Sequence, residues 1–526
     1  MPDPVQLVAD VEARLRPVEI ALAEAWWETS TRVSADAKER RERVELERRG
    51  LLADSDAFTA IREARETDVD DPFVRRQLDV LHDAFAPHQV AEDIRRRLVE
   101  LEVDVEATFN SHRGEIDGER VEDNHILEIL RTSDDTTERK AAWQAAKQVG
   151  AEVAEQVREL AVLRNEAARS LGYRDHFHLA LATGELDEKR LFTTLDEVDR
   201  ATARSFTTWK AGLDESLGAR FGCDATDLRP WHYDDPFFQD PPVAGAVDLD
   251  PLFEDADIEG LTMRTYDGLG LDLRPVLERS DLFAREGKSQ HAFCIDIDRE
   301  GDVRVLCNVE PNERWMDTML HEFGHATYDR EVDRELPWLL RAATHALTTE
   351  GVAMLFGRLP RDPTWLHTIA GVDPSRLEEL GPRLAESRRA NLLVFARWVL
   401  VMTNFERGLY ADPAGDHETR WWELVERFQL LHRPERGTAD AAWASKIHLT
   451  VAPVYYQNYL YGELVASQLG DAVDARAGGL VDQADAGRLL VDEFFAPGAS
   501  LRWDHLLECA TGAPLSAEAF AAHLAA

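Results

Sequence analysis

The chain has 526 residues, 44% apolar and 30% charged, which excludes disordered and fibrous classes and leaves either a few ordinary domains or one large helical body around a deep cleft. Acidic residues outnumber basic ones by 100 to 60, a formal charge of −40, so neither nucleic acid nor an anionic membrane surface is an expected partner, because both are bound by cationic neutralisation. Only seven basic residues are lysines, a pattern that points to a salt-rich cytoplasm where ions screen the self-repulsion of such a surface.

In chain order, Met1-Pro-Asp-Pro runs into an amphipathic charged stretch without the basic start and apolar core of a secretion signal, and a cytoplasmic location is expected. From Leu7 to about Arg220, apolar residues recur at three and four spacing among Glu and Arg, which predicts several long helices. Between Leu228 and Pro251 a Pro-, Asp- and Gly-rich segment with Trp231, Tyr233, Phe237 and Phe238 reads as an ordered loop with aromatic anchors. Residues 291–307 alternate around Asp298-Arg-Glu-Gly-Asp302, which predicts a hairpin, with Cys294 roughly opposite Cys307 and both thiols free. After the hairpin, helices resume to the end. The longest apolar run, Leu392 to Met402, is interrupted by Arg397 and is too short to cross a bilayer.

His321-Glu322-Phe323-Gly324-His325 carries the chemistry. Two histidines four apart project from one face of a helix and can reach a single ion, with Glu322 beside them to activate a bound water. Asn312 is placed as the helix N-cap after Pro311, and Trp315, Met316, Met319, Leu320 and Phe323 supply an apolar face. A catalytic zinc takes three protein ligands and keeps one open position. Glu350, 25 residues after His325 in a helical stretch from Leu339 to Leu359, is the third candidate, since a carboxylate among Ala346, Leu347, Val352, Ala353 and Leu355 needs a cation. Zinc suits two imidazoles and one carboxylate.

These residues resemble the peptidyl-dipeptidase A family, that of angiotensin-converting enzyme, and particularly its shorter prokaryotic single-domain members. The resemblance runs in order through Trp26-Trp-Glu-Thr-Ser-Thr, Arg164-Asn-Glu-Ala-Ala-Arg-Ser-Leu-Gly-Tyr, Pro230-Trp-His-Tyr-Asp-Asp-Pro-Phe-Phe-Gln, the zinc helix, Thr349-Glu-Gly, Trp421-Trp-Glu-Leu-Val-Glu-Arg-Phe-Gln and Lys446-Ile-His-Leu-Thr-Val-Ala-Pro-Val-Tyr-Tyr-Gln-Asn-Tyr. It implies a mainly α, clam-like body with a deep central cleft and a small β-hairpin beside the zinc site. It also implies one metallopeptidase unit over 1–526, with lid helices within 1–110 and a zinc- and substrate-binding core within 280–465. The expected activity is zinc-dependent hydrolysis of oligopeptides with release of C-terminal dipeptides.

By the same resemblance, His291 and Ala292 hydrogen-bond the substrate backbone from an edge strand. His448 and Tyr459 stabilise the oxyanion, and Lys446 and Tyr456 hold the terminal carboxylate. Three positions depart from the family pattern. Met354 stands where the animal enzymes carry an acid four residues after the third ligand, leaving His345 and Asp317 as candidate supports of the zinc. Asn458 replaces the arginine of chloride-activated relatives, so chloride activation does not carry over. The glutamine that helps bind the carboxylate has no evident counterpart. Two rival readings stay open: an oligoendopeptidase like thimet oligopeptidase, and an inert peptide-binding protein on the same scaffold.

Overall fold

A computed structural model describes residues 3–32, 34–242 and 248–525. The fold is mainly α, and among the described residues the only sheets are two antiparallel hairpins. Aspartates account for part of the acidic excess by starting helices: Asp54, Asp71 and Asp135 each accept two backbone N–H groups of the helix that follows. A carboxylate there satisfies orphan donors and complements the positive end of the helix dipole. No helix among the described residues is long and apolar enough to cross a membrane.

The chain divides into two compact units. The first comprises Met1–Gln89, Val247–Leu384 and Tyr461–Phe520. Its opening helices, Pro4–Thr31, Ala35–Leu52, Ser55–Arg65 and Pro72–Phe85, bury Val8, Val11, Leu15, Ile61, Leu78 and Leu81 in one apolar cluster with Trp338 and Leu339. Each such side chain, fully buried, contributes roughly 1.5–3 kcal/mol.

The predicted hairpin lies in this unit as β3 (Phe293–Asp296) and β4 (Val303–Leu306), after β1 (Gly114–Ile116) and β2 (Glu119–Val121) of the second unit in chain order. Its turn is held by Asp296 and Asp298, whose carboxylates accept backbone N–H groups of residues 298–302, with Arg299 and Gly301 at positive φ. The register sets Cys294 against Val305 rather than Cys307. Period-two alternation locates the face of a strand but not its partner, and the turn closes two residues tighter than the sequence suggests. Both thiols are free.

The second unit comprises Val90–Ala246, Ala385–Leu460 and Ala521–Ala526. It contains a hairpin that the helical periodicity hid, β1 (Gly114–Ile116) with β2 (Glu119–Val121), turning through Asp117 and Gly118 at positive φ. The aromatic loop after Leu228 is ordered as expected. Fully buried Arg139 donates to the Trp231 carbonyl at 2.8 Å and to Asp234 at 2.8 Å, while Trp143 donates to the Pro236 carbonyl at 3.0 Å. Gln429 completes the clamp, its side-chain amide donating to the carbonyls of Phe237 and Phe238. Residues 243–247 of the predicted loop lie outside the described residues.

Candidate active site

In the first unit, the motif helix spans Glu313–Glu331 and starts on Asn312, whose side chain accepts the Trp315 amide at 2.9 Å. Met316, Met319, Leu320 and Phe323 are fully buried. The Tyr266 hydroxyl donates to the Leu320 carbonyl at 2.8 Å, bracing the turn that carries His321.

The predicted helix from Leu339 to Leu359 is broken: a 3-10 turn at Trp338–Leu340 is separated from a return helix at Ala346–Gly357. His345, extended at φ −157°, caps the return helix by accepting the Leu347 amide at Nδ1. Capping engages Nδ1 of His345 as an acceptor. The two helices approach closely because position 324 is glycine, where a Cβ would lie 2.9 Å from Ala353 Cα.

This approach brings one ligand atom from each of His321, His325 and Glu350 within 4.8 Å of one another. His321 Nε2 lies 3.8 Å from Glu350 Oε2. Burial pushes the His325 imidazole down to about 3, with His321 adding to the shift, and pushes His321 to about 4. Both rings are neutral at pH 7, the form that ligates metals, and the His321–Glu350 contact is not an ion pair at that pH. Two nitrogens and one carboxylate oxygen with a position to spare fit a catalytic zinc.

The supports of this group come partly from residues outside the expected set. His325 Nδ1 is 2.6 Å from the Thr349 hydroxyl, which fixes the ring and leaves Nε2 for an ion. Gly462, on the helix Tyr456–Ala477, makes room for Glu350: a Cβ there would come within 3.1 Å of Glu350 Cβ and 3.2 Å of Met354 Sδ. Asp317 makes no hydrogen bond to His321 among the described residues, although both lie against Gly357.

Glu322 is 8% exposed, and burial raises its carboxyl to about 8, with Glu350 adding to the rise and the Cys294 amide of β3 opposing it. The hairpin thus stands beside the motif helix, with β3 at its edge. His291 and Ala292 immediately precede β3, and His291 is exposed.

The remaining predicted residues form a group in the second unit. His448 and Tyr456 have ring centroids 4.9 Å apart, and Tyr456 and Tyr459 5.6 Å. Lys446 donates to Gln239 Oε1 at 2.9 Å and lies 5.0 Å from the Phe237 ring and 5.4 Å from that of Trp398. Burial lowers its ammonium, with Asp235 and Asp240 opposing. Gln239 also lines a cavity of about 330 Å³ with Phe109, Ile126, Leu127 and Asp240. Gln239 is thus a polar partner of Lys446 that sequence reasoning left unplaced. Its signal was the end of Pro236-Phe-Phe-Gln, but nothing local ties that residue to one 207 positions away.

The family model of angiotensin-converting enzyme matches residues 4–200, and that of peptidase family M3 matches residues 278–526. The second match includes His321, His325 and Glu350, the three clustered side chains that could hold a metal ion. The two matches together support an assignment to the angiotensin-converting-enzyme-like gluzincin metallopeptidases. Gluzincins of both families use a catalytic zinc ion and hydrolyse peptide bonds, and this metallopeptidase does the same. No curated protein matches the chain.

Proposed function

We propose that this metallopeptidase releases dipeptides from the free C-terminus of oligopeptides. The observation that carries the reading is Lys446: its ammonium is half-buried, makes its one hydrogen bond to Gln239, and has no ion pair among the described residues. Asp235 and Asp240 compensate that cation only from beyond ion-pair distance, which leaves it able to take a substrate carboxylate in direct contact. Lys446 and Tyr456, with Gln239, are assigned to the terminal carboxylate. His291 and Ala292 are assigned to the substrate backbone, because an edge strand offers unpaired main-chain groups to an extended peptide.

His321, His325 and Glu350 would hold the zinc ion, which when bound acts as a Lewis acid toward water and the scissile carbonyl. Glu322 takes a proton from the attacking water as its oxygen bonds to the carbonyl carbon, then gives that proton to the nitrogen as the C–N bond breaks. His448 is neutral at pH 7, since burial lowers it to about 4 with Lys446 adding to the shift, and its buried Nδ1 has no partner among the described residues. His448 and Tyr459 donate hydrogen bonds to the developing oxyanion.

The test compares unblocked and C-terminally amidated peptides by mass spectrometry of products, with and without a chelator. Dipeptide products, loss of activity on chelation and a fall of about 30-fold on amidation are expected. Equal rates on both peptides, with internal cuts, would favour an oligoendopeptidase instead. We further read the acidic excess as adaptation to a salt-rich cytoplasm, without a nucleic-acid or membrane partner. Activity greatest in dilute buffer would sink that reading.

A further inference from the structure

Within the second unit, the turn from Leu449 to Tyr455 joins His448 to Tyr456 and Tyr459, and two buried ionisable side chains grip its backbone. Arg164, 5% exposed, donates from Nη1 to the Leu449 carbonyl at 2.9 Å and from Nη2 to the Thr450 carbonyl at 2.7 Å. Its remaining donors reach the Tyr410 hydroxyl at 3.2 Å and Glu102 at 2.8 Å. Glu406, 2% exposed, accepts the Val454 amide at 2.6 Å, and the Gln457 side-chain amide donates to the Val454 carbonyl.

Val454 is thereby pinned at both of its backbone groups, and it sits at φ +55°. A β-branched residue in the left-handed region is strained, and such strain persists only where the surroundings over-determine it. Burying the Arg164 guanidinium costs several kcal/mol before pairing, and burial pushes the Glu406 carboxyl up to about 8, whereas apolar side chains would fill the same space at no such cost. The expense is intelligible if the turn must hold one geometry.

We propose that Arg164 and Glu406 are positioning residues for hydrolysis: by clamping the two ends of the 449–454 turn they set the hydrogen-bonding directions of His448, Tyr456 and Tyr459. This rests on the oxyanion and carboxylate roles given above. Displacing such donors by about 1 Å costs on the order of 100-fold in rate.

The test uses the full-length, zinc-loaded chain and an internally quenched pentapeptide with a free C-terminus. Glu406→Ala is expected to lower kcat by about 100-fold while leaving one zinc per chain, and Glu406→Gln, which keeps an acceptor for the Val454 amide, to restore most of it. Combining Glu406→Ala with Tyr459→Phe should cost far less than the product of the two losses, because one acts through the other. Multiplicative losses, or a Glu406→Ala protein that melts lower yet turns over normally, would overturn the proposal. Should Glu406→Ala fail to fold, Arg164→Lys gives the same readouts, keeping the charge but losing the reach to two carbonyls. If Tyr459→Phe and His448→Gln themselves leave kcat intact, the underlying role assignment fails instead, a result separable from failure of the clamp alone.

Discussion

The candidate zinc-ligand group of the first unit and the Lys446–Tyr459 group of the second are both partly buried and both polar, but they are assembled over different ranges of sequence. His321, Glu322 and His325 sit on one helical turn, and Glu350 follows on the next helix, with Thr349 beside it holding His325. Lys446 depends on Gln239, 207 residues away, and the turn after His448 depends on Arg164, 285 residues from the carbonyl it grips. The ligand group is therefore a local device made accurate by close packing, whereas the Lys446–Tyr459 group is held by long-range hydrogen bonds. Damage to the first should show as loss of chemistry or metal, and damage to the second as loss of recognition and alignment.

The largest expected effect is at Glu322. Glu322→Gln should reduce kcat by at least about 10³-fold while zinc stays bound, as metal analysis of the purified variant would check. Loss of zinc in that variant would break the distinction between base and ligand. The same substitution has a pH signature. In the metal-free protein Glu322 is raised to about 8 and so is protonated at pH 7, and a cation beside it favours the carboxylate. Zinc binding at pH 7 should release more protons from the wild type than from Glu322→Gln, and calorimetry in buffers of different ionisation enthalpy measures the difference.

A smaller effect sharpens the other side of the comparison. Lys446→Met should lower kcat/KM by about 30-fold on peptides with a free carboxylate and leave amidated ones nearly unchanged, with zinc content intact. Equal losses on both substrates would place Lys446 in the chemistry or the fold rather than in carboxylate recognition. Thr349→Val keeps the side-chain volume and removes the hydroxyl that orients His325. It should weaken zinc by about 10-fold or somewhat more, read from competition with a chromophoric chelator.

The smallest effect concerns packing. At Gly324 a methyl group would meet Ala353 Cα at 2.9 Å, so Gly324→Ala should destabilise the first unit by about 1–3 kcal/mol, seen in denaturant melts, with some loss of zinc affinity as Glu350 is pushed away. An unchanged melt with unchanged affinity would mean that the helix pair tolerates separation.

The sequence by itself determined the helical class, the motif helix with its Asn312 cap, the hairpin before it and the ordered aromatic loop. Each of these is written in neighbouring residues, through the 3.6 and 2.0 periods, capping side chains and turn-forming dipeptides. Tertiary structure alone decided the rest. The β3–β4 register moved Val305 rather than Cys307 opposite Cys294, and His345 became a cap that split a predicted continuous helix. Gly324 and Gly462 let backbones come close enough for Glu350 to join two histidines. The partnerships of Gln239 with Lys446 and of Arg164 and Glu406 with the 449–454 turn come from packing, because a hydrogen bond between residues hundreds of positions apart leaves no periodic mark on either stretch of chain.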